Sequence, residues 1–263
     1  MAFYPLIIGH RGASAVAPEN TMAAFRKAIE AGADGIEFDV RLANDGVPVI
    51  IHDETLRRTA GRSERIADLR STDLQTTDVG SWFARVRGFA TEEFERETVP
   101  TLQQLLDEFS DREALLYLEL KCSRTETQEI ALAVCRMLPN DRLREQVIIE
   151  CFDLSAIAEV KRLAPDIKTA ALFEPKIGDP ASLLPGKTLI ERAKDAGADQ
   201  IALHHRLAQR KTIEQACDAG IKVVVWTVDD PSWLARSREY RIDCLITNDP
   251  ARMLRHRNTS DPI

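Results

Sequence analysis

The feature that most constrains the fold is a repeated join in which a helical pattern ends at a glycine and an apolar run follows at once. The join occurs at Gly32, Gly197 and Gly220. A glycine can adopt the left-handed conformation that ends a helix tightly, so the chain can enter the next strand without a long loop. The runs that follow are near-continuously apolar, as parallel strands are when both of their faces are buried.

Similar runs recur with helical patterns between them, so that strand and helix alternate about eight times. This alternation predicts an α/β fold, a TIM-type (β/α)8 barrel, and 263 residues match the usual length of one such barrel. The hydrophobic fraction of 44% is enough for a sizeable core. We therefore expect residues 1–263 to form a single barrel domain rather than two domains. An open, doubly wound sheet is the structural alternative.

One segment, residues 54–99, departs from the alternation because it is rich in Arg, Thr, Asp and Glu and contains no buried-strand pattern. A long stretch of this kind within a compact domain is usually functional or only partly ordered. We interpret it as a small insertion after the second βα region, beside the active-site face. Two roles are open for it: a lid over the site, or a surface excursion that covers one edge.

The composition argues against several kinds of protein. A formal charge of −7 argues against a nucleic-acid partner, since proteins that bind nucleic acids usually carry a basic face. The five cysteines are scattered without a CxxC pair, which is typical of a reduced compartment. No signal-peptide pattern occurs, and no apolar run is long enough for stable membrane anchoring. We expect a cytoplasmic enzyme that acts on a small molecule, with its oligomeric state left open.

Acidic side chains lie at the ends of two predicted strands. Glu37 and Asp39 alternate along one strand and so project from one face, and Glu119 lies at the end of another strand. Carboxylates held side by side repel each other unless a cation or a proton separates them. Three oxygen donors suit a hard divalent cation, Mg²⁺ or Ca²⁺. A solvated acidic face is the alternative for a single pair, and the third acid argues against it.

Histidines and cations are predicted at the same edge, where barrels of this type carry their active sites. His10 ends the first apolar run and His52 ends the third, and imidazole is suited to proton transfer near neutral pH. Arg11 offers a planar fork to phosphate oxygens, and Lys121 offers a compact charge. The set of residues indicates acid–base chemistry on a phosphate group beside a metal ion.

The motifs around these residues closely resemble those of the glycerophosphodiester phosphodiesterase family, of the bacterial cytoplasmic type. They occur in the family's order and spacing and extend to at least Asp249. The matching pieces are His10-Arg11-Gly12-Ala13, Pro18-Glu19-Asn20-Thr21, Gly32-Ala33-Asp34, Glu37-Phe38-Asp39-Val40, Asp45-Gly46, His52-Asp53, Glu119-Leu120-Lys121 and Trp226-Thr227-Val228. The chain departs from the family's pattern at Cys151, where serine is frequent, and this departure bears on substrate preference rather than on the reaction.

The resemblance implies metal-dependent hydrolysis of glycerophosphodiesters to glycerol 3-phosphate and an alcohol. The attacking oxygen comes from water or from the neighbouring glycerol hydroxyl, and the sequence leaves both open. Two alternatives remain at this point. One is a phospholipase-type phosphodiesterase that acts on lipid head groups, and the other is a non-catalytic phosphate-binding barrel.

The resemblance also implies roles for single residues. Family members use the positions of Glu37, Asp39 and Glu119 as metal ligands and those of His10 and His52 as acid and base, in an order that the sequence leaves open. For Trp226 the resemblance favours contact with the substrate's glycerol group over a core-capping role. Two further side chains are expected to brace the site by hydrogen bonds, namely Asn20 and Asp53.

Overall fold

The structure is a computed structural model that describes residues 4–88, 93–139, 141–175 and 184–259. The strands of these ranges are, in chain order, β1 (Leu6–His10), β2 (Gly35–Leu42), β3 (Pro48–Ile50), β4 (Leu115–Leu120), β5 (Val147–Cys151), β6 (Lys168–Phe173), β7 (Gln200–His204), β8 (Lys222–Trp226) and β9 (Cys244–Thr247). Every pairing between them is parallel except that of β2 with β3.

Helices follow or precede these strands throughout the described ranges. They are α1 (Met22–Glu30), α2 (Arg57–Ala60), α3 (Ser71–Leu74), α4 (Ser81–Arg87), α5 (Leu102–Phe109), α6 (Thr127–Arg136), α7 (Asp141–Gln146), α8 (Leu154–Leu163), α9 (Gly186–Asp195), α10 (Arg210–Asp218), α11 (Ser232–Tyr240) and α12 (Pro250–Thr259), with a 3₁₀ turn at Ile66–Asp68. None of the described helices is long and apolar enough to cross a membrane.

The parallel strands close on themselves in the order β1, β2, β4, β5, β6, β7, β8, β9, because β1 pairs with both β2 and β9. Ile8 lies opposite Gly35 on one side and opposite Ile246 on the other. The predicted (β/α)8 barrel is confirmed, and the open doubly wound sheet is excluded by this closure. The glycines that end α1, α9 and α10 have φ values of +88°, +79° and +72°, as the join predicts.

The third apolar run lies outside the barrel. Residues 47–52 do not supply a barrel strand; the short strand β3 runs antiparallel to the end of β2, with Ile50 opposite Val40. The reason is the length of the connection. A few residues around Gly46 join the two strands, which is enough for a hairpin turn, whereas a parallel strand requires a crossover of a dozen residues or more.

Residues along each barrel strand alternate between the interior and the surrounding helices. The interior cluster contains Ile8, Tyr117, Ile148, Ala170, Leu172, Ala202, Val224, Cys244 and Ile246. Two positions further along, the next inward-facing residues are polar or aromatic at the ends of all seven of these strands: His10, Glu119, Glu150, Glu174, His204, Trp226 and Asn248. The alternation therefore places a ring of functional side chains at the carboxyl end of the barrel.

The predicted insertion, residues 54–99, forms one unit with the hairpin strand β3, and we use the name insertion for the whole chain between β2 and α5. It has a small core of its own, formed by Ala43, Val49, Ile51, Leu56, Ile66, Leu74, Val79 and Val99. Phe83 and Phe94 attach it to the barrel by packing against Ala17 and Ala24. Residues 89–92 lie outside the described ranges. The lid role of the insertion stays a prediction.

Candidate active site

A cavity of about 940 Å³ opens at the carboxyl end of the barrel. Its lining includes seven of the eight side chains that the sequence singled out: His10, Arg11, Glu37, His52, Glu119, Lys121 and Trp226. The eighth, Asp39, is fully buried and has ion pairs with two of them. The insertion contributes to the same wall through His52, Arg65 and Ile66. The barrel strands and the insertion thus enclose one site.

The three predicted metal ligands come together beneath this cavity. Glu37, Asp39 and Glu119 each offer an oxygen atom, and these oxygens all lie within 4.8 Å of one another. The strands enforce the arrangement, since β2 and β4 pair with Asp39 opposite Glu119 and Glu37 two positions earlier on β2. All three carboxyl groups are buried. Such an all-oxygen cluster fits a hard divalent cation such as Mg²⁺ or Ca²⁺.

The electrostatics of the cluster support this fit. Burial, together with the neighbouring carboxylates, raises the pKa of Glu37 well above its ordinary range. Burial likewise raises the pKa of Glu119 to about 7, and Asp39 adds to the shift. Burial opposes the ionisation of Asp39 too, but Arg11 and Lys121 hold its pKa well below the usual value. A bound divalent cation would favour the ionised form of all three groups.

Arg11 and Lys121 lie directly against these acids. The Arg11 Nε atom is 3.2 Å from Asp39 Oδ2, and the Lys121 Nζ atom is 3.1 Å from Asp39 Oδ1 and also contacts Glu119. Arg11 has a left-handed backbone (φ 54°), an uncommon conformation for a residue with a side chain. This conformation accompanies a hydrogen bond that the Arg11 backbone N–H donates to Glu37 Oε2 at 2.9 Å.

The turn after Arg11 requires glycine. Gly12 has a φ of +81°, and a Cβ atom at this position would lie only 2.5 Å from the backbone of Ala24 at the start of α1. The close approach lets the loop after β1 fold back onto α1, and Ala13 N–H donates to Ala24 O at 2.9 Å. In the His-Arg-Gly sequence, the backbone of Arg11 therefore contacts Glu37, and only glycine fits at position 12.

The orientation of the His10 ring follows from a chain of hydrogen bonds. Asn248 Nδ2 donates to Asp229 Oδ2 at 2.7 Å, so its Oδ1 faces His10 Nδ1 at 2.7 Å. An amide oxygen only accepts hydrogen bonds, so His10 Nδ1 carries the proton and Nε2 keeps its lone pair. Nε2 lies 3.9 Å from Glu37 Oε2. Burial, with a contribution from Arg11, lowers the pKa of His10 to about 4.

The Nδ1 atom of His52 faces a charged carboxylate, whereas that of His10 faces a neutral amide. The His52 Nδ1 atom lies 2.7 Å from Asp53 Oδ1, so Nδ1 again donates and Nε2 is the free ring nitrogen. Burial lowers the pKa of His52, while Asp39 and the hydrogen bond to Asp53 oppose that shift. The side chain of His52 is 32% exposed against 19% for His10.

The two expected bracing residues make the contacts that this role requires. Asn20 Nδ2 donates to Asp39 Oδ2 at 2.7 Å, and Asp39 N–H donates to Asn20 Oδ1 at 3.2 Å. Asp53 accepts from His52 and also from Arg58 Nε at 2.7 Å. Asn20, like Arg11, has a left-handed backbone with a φ of 57°. Asn20 thus orients Asp39, a candidate metal ligand, and Asp53 orients His52.

The sequence did not assign a role to Arg58, which connects two functional side chains. Its guanidinium donates to Glu19 at 2.7 Å from both Nη1 and Nη2, and to Asp53 from Nε. Glu19 in turn accepts from Arg11 Nη1 at 2.8 Å. One insertion residue therefore holds both the carboxylate beside His52 and the carboxylate beside Arg11.

Trp226 lies on the aromatic side of the cavity. Its ring makes edge contacts with Phe152 and His204, at centroid distances of 5.6 and 5.2 Å, and its Nε1 donates to Ala202 O at 3.3 Å. The ring is half-buried and its partner Phe152 lines the cavity as well. The site therefore has an acidic side on β2, β4 and β5 and a mainly apolar side on β6 to β8.

Among the inward-facing residues that sequence reasoning missed are Glu150 on β5 and Asn248 after β9. Glu150 is 2% exposed, and burial next to Glu119 raises its pKa well above the ordinary value. Both follow an apolar strand run by the same pattern that singled out His10. The signal that could have found them is the position two residues after the last interior residue of the strand.

The comparisons with known proteins agree with this geometry. The model of the glycerophosphoryl diester phosphodiesterase family matches residues 10–252. The chain belongs to this family. A glycerophosphodiester phosphodiesterase of Caldanaerobacter subterraneus subsp. tengcongensis is 30% identical over 249 residues, which cover 95% of this chain and 96% of the relative. The enzyme class predicted from the sequence, a phosphoric diester hydrolase, is confirmed by these findings.

Solved structures of similar proteins share the barrel over nearly their whole length. A phosphodiesterase from Oleispira antarctica, in complex with the product sn-glycerol-3-phosphate, superposes with a TM-score of 0.83 at 28% identity and covers 97% of this chain and 98% of its own. The glycerophosphodiester phosphodiesterase from Thermotoga maritima gives a TM-score of 0.75 at 27% identity, with 97% and 99% covered. Family membership and fold therefore agree.

Proposed function

We propose that this chain hydrolyses glycerophosphodiesters to glycerol 3-phosphate and an alcohol, with a divalent cation held by Glu37, Asp39 and Glu119. The observation that carries the proposal is the pair of histidines in one cavity with a buried carboxylate cluster, each with its Nδ1 proton committed and its Nε2 free. When bound, the cation would supply positive charge that polarises the phosphoryl group. Mg²⁺ and Ca²⁺ both fit the oxygen donors.

His10 acts as the general base. Its Nδ1 partner is a neutral amide, and burial lowers its pKa to about 4, so the ring is neutral at pH 7. A neutral imidazole with a free Nε2 can take the proton from the attacking hydroxyl. The attacking oxygen belongs to water or to the neighbouring glycerol hydroxyl, and His10 can take the proton from either. Attack by the glycerol hydroxyl expels the alcohol and leaves a cyclic phosphate, which one water molecule then opens to glycerol 3-phosphate.

His52 acts as the general acid. Burial, with Arg11 and Lys121, lowers the pKa of His52, but the carboxylate of Asp53, 2.7 Å from Nδ1, and the negative charge of Asp39 oppose this shift and favour the protonated ring. His52 is also the more exposed of the two rings, so it can exchange its proton with solvent between turnovers. Its Nε2 gives the proton to the leaving alkoxide.

Arg11 and Lys121 bind the phosphate oxygens and offset the charge that develops during transfer. Both cations are already held against Asp39, so the site is organised before the substrate arrives. Trp226 packs against the carbon face of the glycerol group from the apolar side of the cavity. The substrate is a small molecule that fits the cavity of about 940 Å³.

The test is turnover of a panel of glycerophosphodiesters with and without EDTA. We expect hydrolysis that stops on chelation and returns when Mg²⁺ or Ca²⁺ is added in excess of the chelator. Release of glycerol 3-phosphate identifies the bond that is broken. Full activity in excess EDTA, with no metal found by elemental analysis, would contradict the metal-dependent proposal.

A further inference from the structure

Glu150 carries a buried carboxyl group that lines the cavity. The proposed reaction assigns no role to it. It lies on β5 directly opposite Glu119 of β4, and it faces inward because the interior residue Ile148 precedes it by two positions. It lines the cavity although only 2% of the residue is exposed. A carboxyl group in such a place is costly unless it has a partner.

The three carboxylates of the candidate metal cluster have partners within the protein. Glu37 accepts from the Arg11 backbone, Asp39 is held by Arg11 and Lys121, and Glu119 is held by Lys121. The Oε2 atom of Glu150 is buried, and among the described residues it has neither a hydrogen bond nor an ion pair. Because buried polar groups are almost always hydrogen-bonded, this atom calls for a partner that the described residues do not supply.

The position of Glu150 restricts what that partner can be. It does not belong to the group of three whose oxygens lie within 4.8 Å of one another, so it is not part of the candidate metal cluster. Arg11, the planar phosphate fork, follows β1, three strands away around the barrel. Lys121 follows the adjacent strand β4. On the other side of Glu150 the cavity residues are Leu172 of the adjacent strand β6 and Phe152, which follows β5 and is in edge contact with Trp226; these residues suit a carbon skeleton.

A hydroxyl group on that carbon skeleton could be the missing hydrogen-bond partner of Glu150 Oε2. A hydroxyl both donates and accepts hydrogen bonds, so it can pair with a carboxyl group in either protonation state. An ammonium group could pair only with the ionised form. Every glycerophosphodiester carries two free glycerol hydroxyls, and one of them is next to the phosphate, where the nucleophile and the metal ligands act.

We propose that Glu150 hydrogen-bonds the primary hydroxyl of the substrate's glycerol group, the one remote from the phosphate, and so selects diesters that carry it. This inference rests on the proposed function and names the substrate feature that the site recognises. Glu150 is then a substrate-binding residue whose contribution depends on the presence of one particular hydroxyl.

The experiment compares two enzymes with two substrates. The substrates are glycerophosphocholine and the phosphocholine diester of propane-1,2-diol, which lacks only the primary hydroxyl. We expect Glu150→Ala to lower kcat/KM for glycerophosphocholine by about 10- to 100-fold, the range for a buried hydroxyl left without its hydrogen-bond partner. The parent enzyme should lose a similar factor on the deoxy substrate, and Glu150→Ala should lose no more than about twofold further.

Matched controls separate recognition from damage. Glu150→Gln keeps the shape and an acceptor oxygen, so its loss on glycerophosphocholine should be smaller than that of Glu150→Ala. Glu129, on the rim of the same cavity at the start of α6, is exposed, and Glu129→Ala removes a charge without touching the interior. It should leave the ratio between the two substrates unchanged. Binding of Mg²⁺ or Ca²⁺ alone, measured by calorimetry, should be the same in the parent and in Glu150→Gln.

Three results would overturn the inference. One is an equal loss on both substrates in Glu150→Ala and Glu150→Gln. Another is metal affinity reduced by about 10- to 100-fold in Glu150→Gln, which would assign the residue to the support of the metal ligands. The third is a loss confined to amine-bearing head groups, shown by full activity of Glu150→Ala on glycerophosphoglycerol. A parent enzyme that turns over no glycerophosphodiester would instead contradict the proposed function itself.

Discussion

The two histidines of the site are supplied by different regions of the molecule. His10 ends a barrel strand, and its partner Asn248 follows another barrel strand, so its position is set by the barrel wall. His52 belongs to the insertion and follows a hairpin strand. Barrel strands cannot shift without loss of the core, whereas the insertion has a separate small core. The rigid region holds one proton-transfer group and an attached region brings the other.

The barrel and the insertion also differ in the hydrogen-bond partners that they give to the two histidine rings. The barrel gives His10 Nδ1 a neutral amide as its hydrogen-bond partner, and the charged Asp229 lies one residue further away. The insertion surrounds His52 with an ionic network in which Asp53 and Arg58 alternate in sign. A neutral, buried imidazole suits a base, and a carboxylate-bound imidazole suits an acid. The comparison teaches that an acid and a base can be made from the same residue type by its location in the fold.

The largest expected effect is on catalysis by variants of the two rings. His10→Ala and His52→Ala should each lower kcat by about 10²- to 10⁴-fold, the usual contribution of general acid–base groups. The double variant should lose much less than the product of the single losses, because residues that act as one unit are not additive. Near-parental rates in either folded single variant, measured on a glycerophosphodiester, would contradict its role in proton transfer.

Much of the candidate site could be predicted from the sequence, because strand periodicity and the location of barrel active sites at strand ends can be read from short stretches of the chain. His10, Glu37, Asp39 and Glu119 follow from apolar runs that end in polar residues. The position of His52 at the same edge was also predicted from the end of its apolar run, but the hairpin that this run forms with β2 was not. Nothing within residues 47–52 distinguishes a hairpin strand from a barrel strand; the short turn before them does.

Other parts of the site depend on contacts between distant segments, which no local pattern encodes. Asn248 meets His10 across 238 positions of the chain, because β1 and β9 are neighbours only once the barrel is closed. Arg58 meets Glu19 across 39 positions, because the insertion folds back over the loop after β1. A periodic pattern indicates which face a residue occupies, and it does not indicate which partner it meets there.

The second expected effect is on the free energy of unfolding, and it tests whether the His10 ring is neutral in the folded protein. The pKa of His10 is lowered from 6.5 to about 4 in the folded protein, so between these pH values the unfolded chain binds a proton that the folded protein does not. The unfolding free energy should therefore fall as the pH drops from 6.5 to 4, by up to about 3 kcal/mol from this residue.

The measurement is urea unfolding of the parent and of His10→Gln across pH 4 to 7. The variant should have a shallower pH dependence, because glutamine does not titrate. A ring-proton NMR titration of His10 should show no change above about pH 5. A midpoint near 6.5 would contradict the claim that His10 is a neutral base in a buried site.

The smallest expected effect tests whether the insertion acts through its ionic network. Arg58→Ala removes the guanidinium that holds Glu19 and Asp53, and should lower kcat/KM by about 10- to 100-fold, as loss of a group that orients active-site ligands does. Guanidinium ion added at millimolar concentration should restore part of the rate. Arg58→Lys should be less impaired, since it keeps the charge without the fork.

The matched control is the preceding residue of the same helix. Arg57 is exposed, and among the described residues no ion pair of its side chain occurs, so Arg57→Ala should have nearly the parental rate. Equal losses in Arg57→Ala and Arg58→Ala, neither relieved by guanidinium, would indicate that the insertion supports the site only by its packing.

The most direct test of the division of roles uses the leaving group. Glycerol p-nitrophenyl phosphate releases nitrophenolate, which needs almost no protonation, so a variant without the general acid should recover much of its rate on this substrate. The expected result is that His52→Ala recovers and His10→Ala does not, each relative to the parent enzyme on the same substrate. Recovery of His10→Ala in place of His52→Ala would reverse the two roles. Recovery of neither would contradict proton transfer to the leaving group by either ring.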